Sequence, residues 1–424
     1  MDREQIIQTL DRWNFWHRKI DTGVKREFYL KKLLRYVSSA EIIALTGVRR
    51  SGKSTILLQL IEQLIQNGIP KENILYINFE DPIFEAKATL PFLQEIFNSF
   101  LIHFNPKGQL YLFLDEIQLV ENWERFGVSL YDQKRKVKIF VTGSSSKLLK
   151  KEISTLLSGR FISEMVFPLN FKEFLQFKNV LYQGVQTPEI YHHLKEYLEF
   201  GGFPRIVLEN DHSKKIKLLE EYYSSIVERD VITRNKIKNT REIKELLLFL
   251  LSNIGNQVST YNIEKSLGIF NENVRRYFEY FQEAFLIDLV DFFSYKVKQQ
   301  IYNPKKIYCV DSGLATIAAF KFSENKGKIM ENVVFNHLKQ EKKEIFYWKN
   351  KTEIDFVIRK GYKIAHIYNT CWSLKNIRTK DRELSSLEIG QKELHSSSAN
   401  LVFWEKEDNF VDNRLINIAN LLLL

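Results

Sequence analysis

Cysteine is nearly missing from this chain: two residues in 424, Cys309 and Cys371. Two thiols build neither a disulfide framework nor a four-cysteine zinc site, and the expectation is a reducing cytoplasm. Proline and glycine are sparse as well, at 8 and 17 residues. That excludes low-complexity or collagen-like segments and favours packed structure with short loops. No apolar run approaches the roughly 20 residues of a bilayer-spanning helix. The most apolar stretches, at 246–251 and 421–424, are far shorter. The first residues carry Asp2, Arg3, Glu4, Asp11 and Arg12, which is not the pattern of a signal peptide. No membrane partner is expected.

What is present is ordinary for a folded protein: 44% hydrophobic and 27% charged residues over 50.4 kDa. This length exceeds one typical core, so two or three domains are expected. A net charge of +10 and a pI near 9.2 admit a polyanionic partner, nucleic acid above all. The excess is mostly lysine spread along the whole chain, so charge alone does not select that partner.

Residues 1–40 read as a basic helical segment, with Tyr29, Leu30, Leu33, Leu34 and Val37 at helical spacing. From Glu41, short apolar runs at 42–45, 74–79, 109–114 and 137–142 alternate with helical patterns at 54–66, 92–104 and 123–132. This alternation predicts a parallel sheet covered on both faces, ending near Pro168. From Leu169 to about Leu286 the chain reads as helical. Within it, Ser259 caps a helix over 262–267, Gly268 makes a turn and Asn271 opens a second helix, which is helix-turn-helix grammar. Residues 287–293 and 300–302 are then expected as wing strands. A third block mixes strands at 307–310, 345–348, 354–358 and 363–368 with a helix at 329–338. The expected divisions are 1–40, 41–168, 169–302 and 303–424.

The strongest motif is Gly47-Val48-Arg49-Arg50-Ser51-Gly52-Lys53-Ser54, followed by Thr55. Gly47 and Gly52 permit backbone angles closed to other residues, so successive N–H groups can converge on phosphate oxygens. Lys53 is expected to reach the β- and γ-phosphates of ATP, and the Ser54 hydroxyl to ligate Mg²⁺. Arg49 and Arg50 occupy variable positions, and their side chains are expected to point elsewhere. The loop follows an apolar strand and opens an apolar helix whose positive end faces the anion, as the motif requires.

Downstream, Leu110-Tyr111-Leu112-Phe113-Leu114-Asp115-Glu116 reads as a buried strand ending in two carboxylates. Asp115 is expected to hold Mg²⁺ through water, and Glu116 to orient and deprotonate an attacking water. Thr142, closing the next strand, is either a γ-phosphate sensor or part of a polar loop. Glu80 and Asp81 either aid the metal or shape a turn. Arg160 is either an arginine finger for a neighbouring subunit or a surface residue.

Together with Asn78-Phe79-Glu80-Asp81-Pro82, Leu114-Asp115-Glu116-Ile117-Gln118, Thr142-Gly143-Ser144-Ser145 and Ser158-Gly159-Arg160, the loop resembles the prokaryotic AAA+-like ATPases whose AAA domain precedes a domain of unknown function. The likeness continues through Phe200-Gly201-Gly202-Phe203-Pro204 and Glu228-Arg229-Asp230-Val231, to about Trp372. It implies an α/β P-loop NTPase with an AAA+-like parallel sheet at 41–168. A helical and winged-helix domain would follow at 169–302, and a smaller α/β restriction-endonuclease-like domain at 303–424.

Nucleases of that last fold need a helix Glu, an Asp opening a strand, and Glu-x-Lys on the next strand. Here Glu331 lies on the helix and Glu353 and Asp355 open the strand. The next strand offers His366 and Tyr368 where Glu-x-Lys is expected. The domain is therefore expected to be inactive. The functional expectation is a Mg²⁺-dependent ATPase acting as a switch or motor on DNA, through the winged helix, or on a protein partner, with a homo-oligomer allowed. The alternative is a DNA-binding regulator or decayed nuclease in which ATP is structural.

Overall fold

The computed structural model describes residues 1–133, 136–146, 159–182, 187–319, 326–404 and 412–424. They form two units, Met1–Val166 and Phe167–Leu424. Among the described residues no helix is long and apolar enough to cross a membrane.

The first unit is built on five parallel strands: β1 (Ile42–Thr46), β2 (Ile74–Asn78), β3 (Leu110–Asp115), β4 (Val137–Gly143) and β5 (Phe161–Met165), in the order β2-β3-β4-β1-β5. Strands buried on both faces need apolar residues of both parities, and β1 supplies them. Ile42 and Ala44 enter one core with α1 (Arg3–Asp11), α5 (Leu90–Phe104) and α6 (Trp123–Asp132). Ile43 and Leu45 enter the other core with α2 (Glu27–Tyr36) and α3 (Lys53–Gln66). A short helix α4 (Pro82–Glu85) lies between β2 and α5 and is capped by Asp81, whose Oδ1 accepts from Ile83 N at 2.9 Å.

The N-terminal segment belongs to this unit and closes the sheet edge. Asn14 pairs with the backbone of edge strand β2 in both directions, donating to Tyr76 O at 2.9 Å and accepting from Tyr76 N at 2.8 Å. Trp16 Nε1 donates to Ile74 O at 3.0 Å. An open edge would otherwise present unpaired backbone groups to other chains.

The second unit begins with helices α7 (Phe171–Phe177), α8 (Pro188–Phe200), α9 (Pro204–Leu208) and α10 (His212–Ser225). The glycine pair between α8 and α9 has a local cause. Gly202 N donates to Asp311 Oδ2 at 2.7 Å, and a Cβ on Gly201 (φ 74°) would lie 1.9 Å from Asp311 Oδ1. Next come α11 (Thr240–Leu251), β6 (Gln257–Val258), α12 (Thr260–Leu267), α13 (Asn271–Glu283), β7 (Ile287–Val290), α14 (Val297–Tyr302) and β8 (Lys305–Cys309). Ser259 caps α12, accepting from Asn262 N at 3.2 Å, and Gly268 ends it at φ 70°, as its sequence requires.

One expectation fails here. Residues 300–302 are not a wing strand but the end of α14. Val297-Lys298-Gln299-Gln300 contains good helix formers, and Gln300 Nε2 folds back onto Ser294 O at 2.5 Å. The partner of β7 is β8, which pairs antiparallel with both β7 and β6. The strand expected to open the third block thus completes the sheet of the second.

After α15 (Ser312–Ala319) and α16 (Lys326–Gln340) comes a five-stranded mixed sheet, ordered β13-β12-β11-β10-β9. Its strands are β9 (Glu344–Lys349), β10 (Glu353–Lys360), β11 (Lys363–Cys371), β12 (Ala399–Phe403) and β13 (Leu415–Asn417). Helix α17 (Ile377–Leu394) joins β11 to β12, and α18 (Ile418–Leu423) ends the chain.

Candidate functional site

The phosphate loop leaves β1 at Gly47, where φ is 146° and a Cβ would lie 2.1 Å from Val166 O, so no other residue fits. It turns through Arg50 at φ 69° and enters α3 from Gly52 at φ 98°. Lys53 is 3% exposed. Its ammonium folds back on the loop, donating to Gly47 O and Val48 O at 3.1 Å each and lying 3.9 Å from Glu116 Oε1. Ser51 Oγ is buried without a hydrogen-bond partner, as is Thr46 Oγ1 at the end of β1. Val48 is buried, while Arg50 and Thr55 lie at the surface. From the N-terminal segment, the buried Arg26 donates to Ser51 O at 2.9 Å and braces the loop from behind.

Because β4 lies between β1 and β3, its end places Thr142 between the loop and the acidic pair. Thr142 Oγ1 accepts from Glu116 N at 2.9 Å and donates to Asp115 Oδ1. Asp115 also accepts from Tyr76 OH at 2.7 Å and from the Ser54 hydroxyl. Burial, then the neighbouring Glu116 charge, push Asp115 up from its ordinary range, with these three hydroxyls working the other way. The donors around it are hard oxygens in contact with the head of α3, which suits Mg²⁺.

Glu116 takes a left-handed backbone, φ 52° and ψ 44°, and is 5% exposed. Burial opposes its charge, but Lys53, then Arg49, with hydrogen bonds from Gln118 and Ser144, hold it below the usual carboxylate range. Gln118 Nε2 donates to Glu116 Oε2 and, at 3.4 Å, to Ser144 Oγ. A non-glycine residue in this conformation, held by its surroundings, is the kind of strain found where geometry matters to function.

Several sequence expectations change. Arg49 does not point away: its guanidinium pairs with Glu80 and lies close enough to Glu116 to affect its ionisation. Two carboxylates near one loop draw in the nearest cation. Glu80 is thus a partner of the loop, whereas Asp81 is a structural cap that also accepts from Trp13 Nε1 at 2.8 Å. Arg160 precedes β5 at the sheet end opposite the loop, a five-residue strand or ~15 Å away. There it pairs with Asp132 at 3.0 Å. Ser158 of the same motif lies outside the described residues. Sequence reasoning missed Tyr76, whose role depends on β2 lying beside β3, and Gln118, which donates to a carboxylate two residues away.

The second unit holds a separate polar cluster at the nuclease-like position. Glu331, Glu353 and Asp355 do converge, but on Lys306, a fully buried lysine from β8. Its Nζ lies 3.1, 2.9 and 2.8 Å from them respectively. Burial opposes the Lys306 charge, yet Asp355, Tyr308, Glu331 and Glu353 outweigh it and raise its pKa well above the ordinary value. Lys328 and the Tyr308 hydroxyl complete Glu331, at 2.9 and 2.7 Å. Beside Asp355 the register brings Thr370, whose N and Oγ1 donate at 2.9 and 3.0 Å. His366 and Tyr368 fall opposite Ile358 and Phe356, because β11 runs on to Cys371. The alternation Lys306, Tyr308 on β8 is the signal that could have found this cluster.

Known proteins bear on this geometry. An AAA domain matches residues 39–175, and two domains of unknown function, DUF8612 and DUF4143, match 191–326 and 326–419. The chain is 40% identical over 375 residues to the uncharacterized protein MJ1544 of Methanocaldococcus jannaschii, covering 85% of this chain and 81% of that one. It is 33% identical over 352 residues to an uncharacterized protein of Haemophilus influenzae, covering 81% and 86%. Among solved structures, the Aeropyrum pernix Orc1 protein in complex with DNA matches at a TM-score of 0.34 and 14% identity, over 70% of this chain and 92% of that one. With its phosphate loop on a parallel β2-β3-β4-β1-β5 sheet and these relatives along most of its length, the chain belongs to the family of AAA+-like P-loop ATPases in which an AAA domain precedes two domains of unknown function.

Proposed function

We propose that this chain hydrolyses ATP with Mg²⁺ and uses the cycle to switch its second unit on DNA or a protein partner. The observation that carries the reading is Glu116, a buried carboxylate kept ionised by Lys53 and Arg49 beside the phosphate loop. Burying a charge costs free energy, and a chain that only stored nucleotide would gain nothing from it.

In this reading the N–H groups of residues 47–54 bind the phosphates, and Lys53 leaves its two carbonyl partners for the β- and γ-oxygens. Ser54 and Asp115 would hold Mg²⁺, which when bound neutralises charge on those oxygens. Glu116 takes a proton from the attacking water, and Gln118 fixes the carboxylate that does so. Tyr76 and Thr142 fix Asp115, and the Thr142 hydroxyl would have to leave that carboxylate to donate to a γ-phosphate. Phosphate release from ATP by the full chain, measured with and without duplex DNA, tests the proposal. Turnover that DNA accelerates supports both parts, and no release at saturating ATP and Mg²⁺ refutes hydrolysis.

For the second unit, helices α12 and α13 followed by the β7–β8 hairpin support a winged-helix reading. Arg275, Arg276, Lys296 and Lys298 are among its exposed cations. The mixed sheet is read as a nuclease-like shell that does not cut DNA. Its three carboxylates already share an internal ammonium, and Thr370 fills the place beside Asp355 where a second acidic strand is needed.

A further inference from the structure

The two loop arginines have different surroundings. Arg50 lies in the left-handed region and is exposed. The Arg49 side chain is 11% exposed and pairs with Glu80, which follows β2. Asn78 and Asp115 are register partners on β2 and β3, so Glu80 and Glu116 leave the sheet at the same end, and the Arg49 guanidinium on Glu80 lies on the side of the loop where water and the γ-phosphate would meet.

We propose that Arg49 is an arginine finger supplied in cis, held by Glu80 and passed to the γ-phosphate oxygens during transfer. Among the described residues, Lys53 lies beside Glu116 and Arg49 pairs with Glu80. Glu80 is 34% exposed, so water can solvate it once its partner leaves, and an ion pair of that exposure is worth little. Giving up Glu80 for a multiply charged phosphate is therefore favourable for Arg49. In the step itself, the water oxygen bonds to the γ-phosphorus as the bond to the β–γ bridging oxygen breaks. The water proton passes to Glu116, and ADP leaves with the electron pair. Negative charge spreads over the equatorial oxygens, where a guanidinium stabilises it. Arg160, bound to Asp132 at the far end of β5, does not reach this chain's own loop.

The proposal rests on the hydrolysis reading, and the experiment separates the two. ATP binding and phosphate release are measured for the full-length wild type, Arg49→Ala, Arg49→Lys and Lys53→Ala, with thermal melting to confirm folding. Arg49→Ala is expected to lower kcat by about 10²–10³-fold while ATP affinity changes little. Arg49→Lys is expected to recover part of that loss. An equimolar mixture of Arg49→Ala and Lys53→Ala is expected to stay inactive, because neither chain then holds both groups. Recovery in the mixture would mean that Arg49 acts on a neighbouring subunit and would overturn the cis assignment. Unchanged kcat in Arg49→Ala, or affinity lost in step with kcat, would overturn the finger while leaving hydrolysis standing. Wild type that binds ATP and releases no phosphate overturns hydrolysis and the finger together.

Discussion

Lys306→Ala tests the buried cluster of the second unit. The change leaves Glu331 and Asp355, with side chains 3% and 15% exposed, without their shared counter-ion. Removing one partner of a buried ion pair costs about 3–5 kcal/mol. The low end applies here, since Lys328 still serves Glu331 and Glu353 is 35% exposed and can be solvated. At 2–4 °C per kcal/mol for a unit of this size, ~3 kcal/mol lowers its melting temperature by roughly 6–12 °C. The pH dependence follows from the carboxylates. In the wild type burial works against the Asp355 charge but Lys306 holds it below its ordinary range, so that stabilisation is present above the unfolded pKa and lost as pH falls. Glu331 is already raised by burial and Asp355 against Lys306 and Lys328, so its ionisation costs stability as pH rises. In the variant, burial without Lys306 raises the carboxyls, and a raised carboxyl destabilises as pH rises through its folded value. The gap between the two proteins is therefore widest near neutral pH and narrows in acid. Scanning calorimetry of the full chain at pH 7 and pH 5 reads both quantities. A variant melting within about 2 °C of wild type at pH 7, or a gap that does not narrow at pH 5, would refute the assignment of Lys306 as the counter-ion.

Three further outcomes are expected. Lys53→Ala loses ATP binding in equilibrium dialysis, because the cation aimed at the β- and γ-phosphates is gone. DNA binding through Arg275, Arg276, Lys296 and Lys298 amounts to about four phosphate contacts, so affinity falls roughly 10²-fold from 50 to 200 mM salt. Arg275→Ala with Arg276→Ala lowers the salt slope by about two, and binding that ignores salt contradicts the interface. Plasmid and linear DNA incubated with Mg²⁺ or Mn²⁺ remain intact; cleavage that disappears in Asp355→Ala would make the last domain a working nuclease.

The first unit is legible in sequence where its strands are buried on both faces and its loop has fixed spacing; the half-buried edge strand β5 does not show there. β1, β3 and β4 stand out as apolar runs, and Gly47 to Ser54 marks the turn between strand and helix. Asp115 and Glu116 follow from their position at a strand end. What sequence did not reveal depends on neighbours across space. Tyr76 reaches Asp115 only because β2 lies beside β3, and Arg49 turns inward only because Glu80 and Glu116 converge on it. The same holds in the second unit. β8 reads as a local apolar run, and nothing local says that it pairs with β7 or carries Lys306 to carboxylates 25 to 49 residues away. Residues 300–302 read as a strand because α14, at six residues, is too short for either periodicity to declare itself.

The central claim is that Glu116 is the base for ATP hydrolysis, and Glu116→Gln tests it most directly. The amide keeps the shape of the side chain and its contacts with Gln118 and Ser144 but cannot take a proton from water. The measurement pairs ATP affinity with phosphate release at saturating ATP and Mg²⁺. The expected result is retained binding with turnover lowered about 10²–10⁴-fold. A Gln variant that binds ATP and releases phosphate at the wild-type rate would contradict the account.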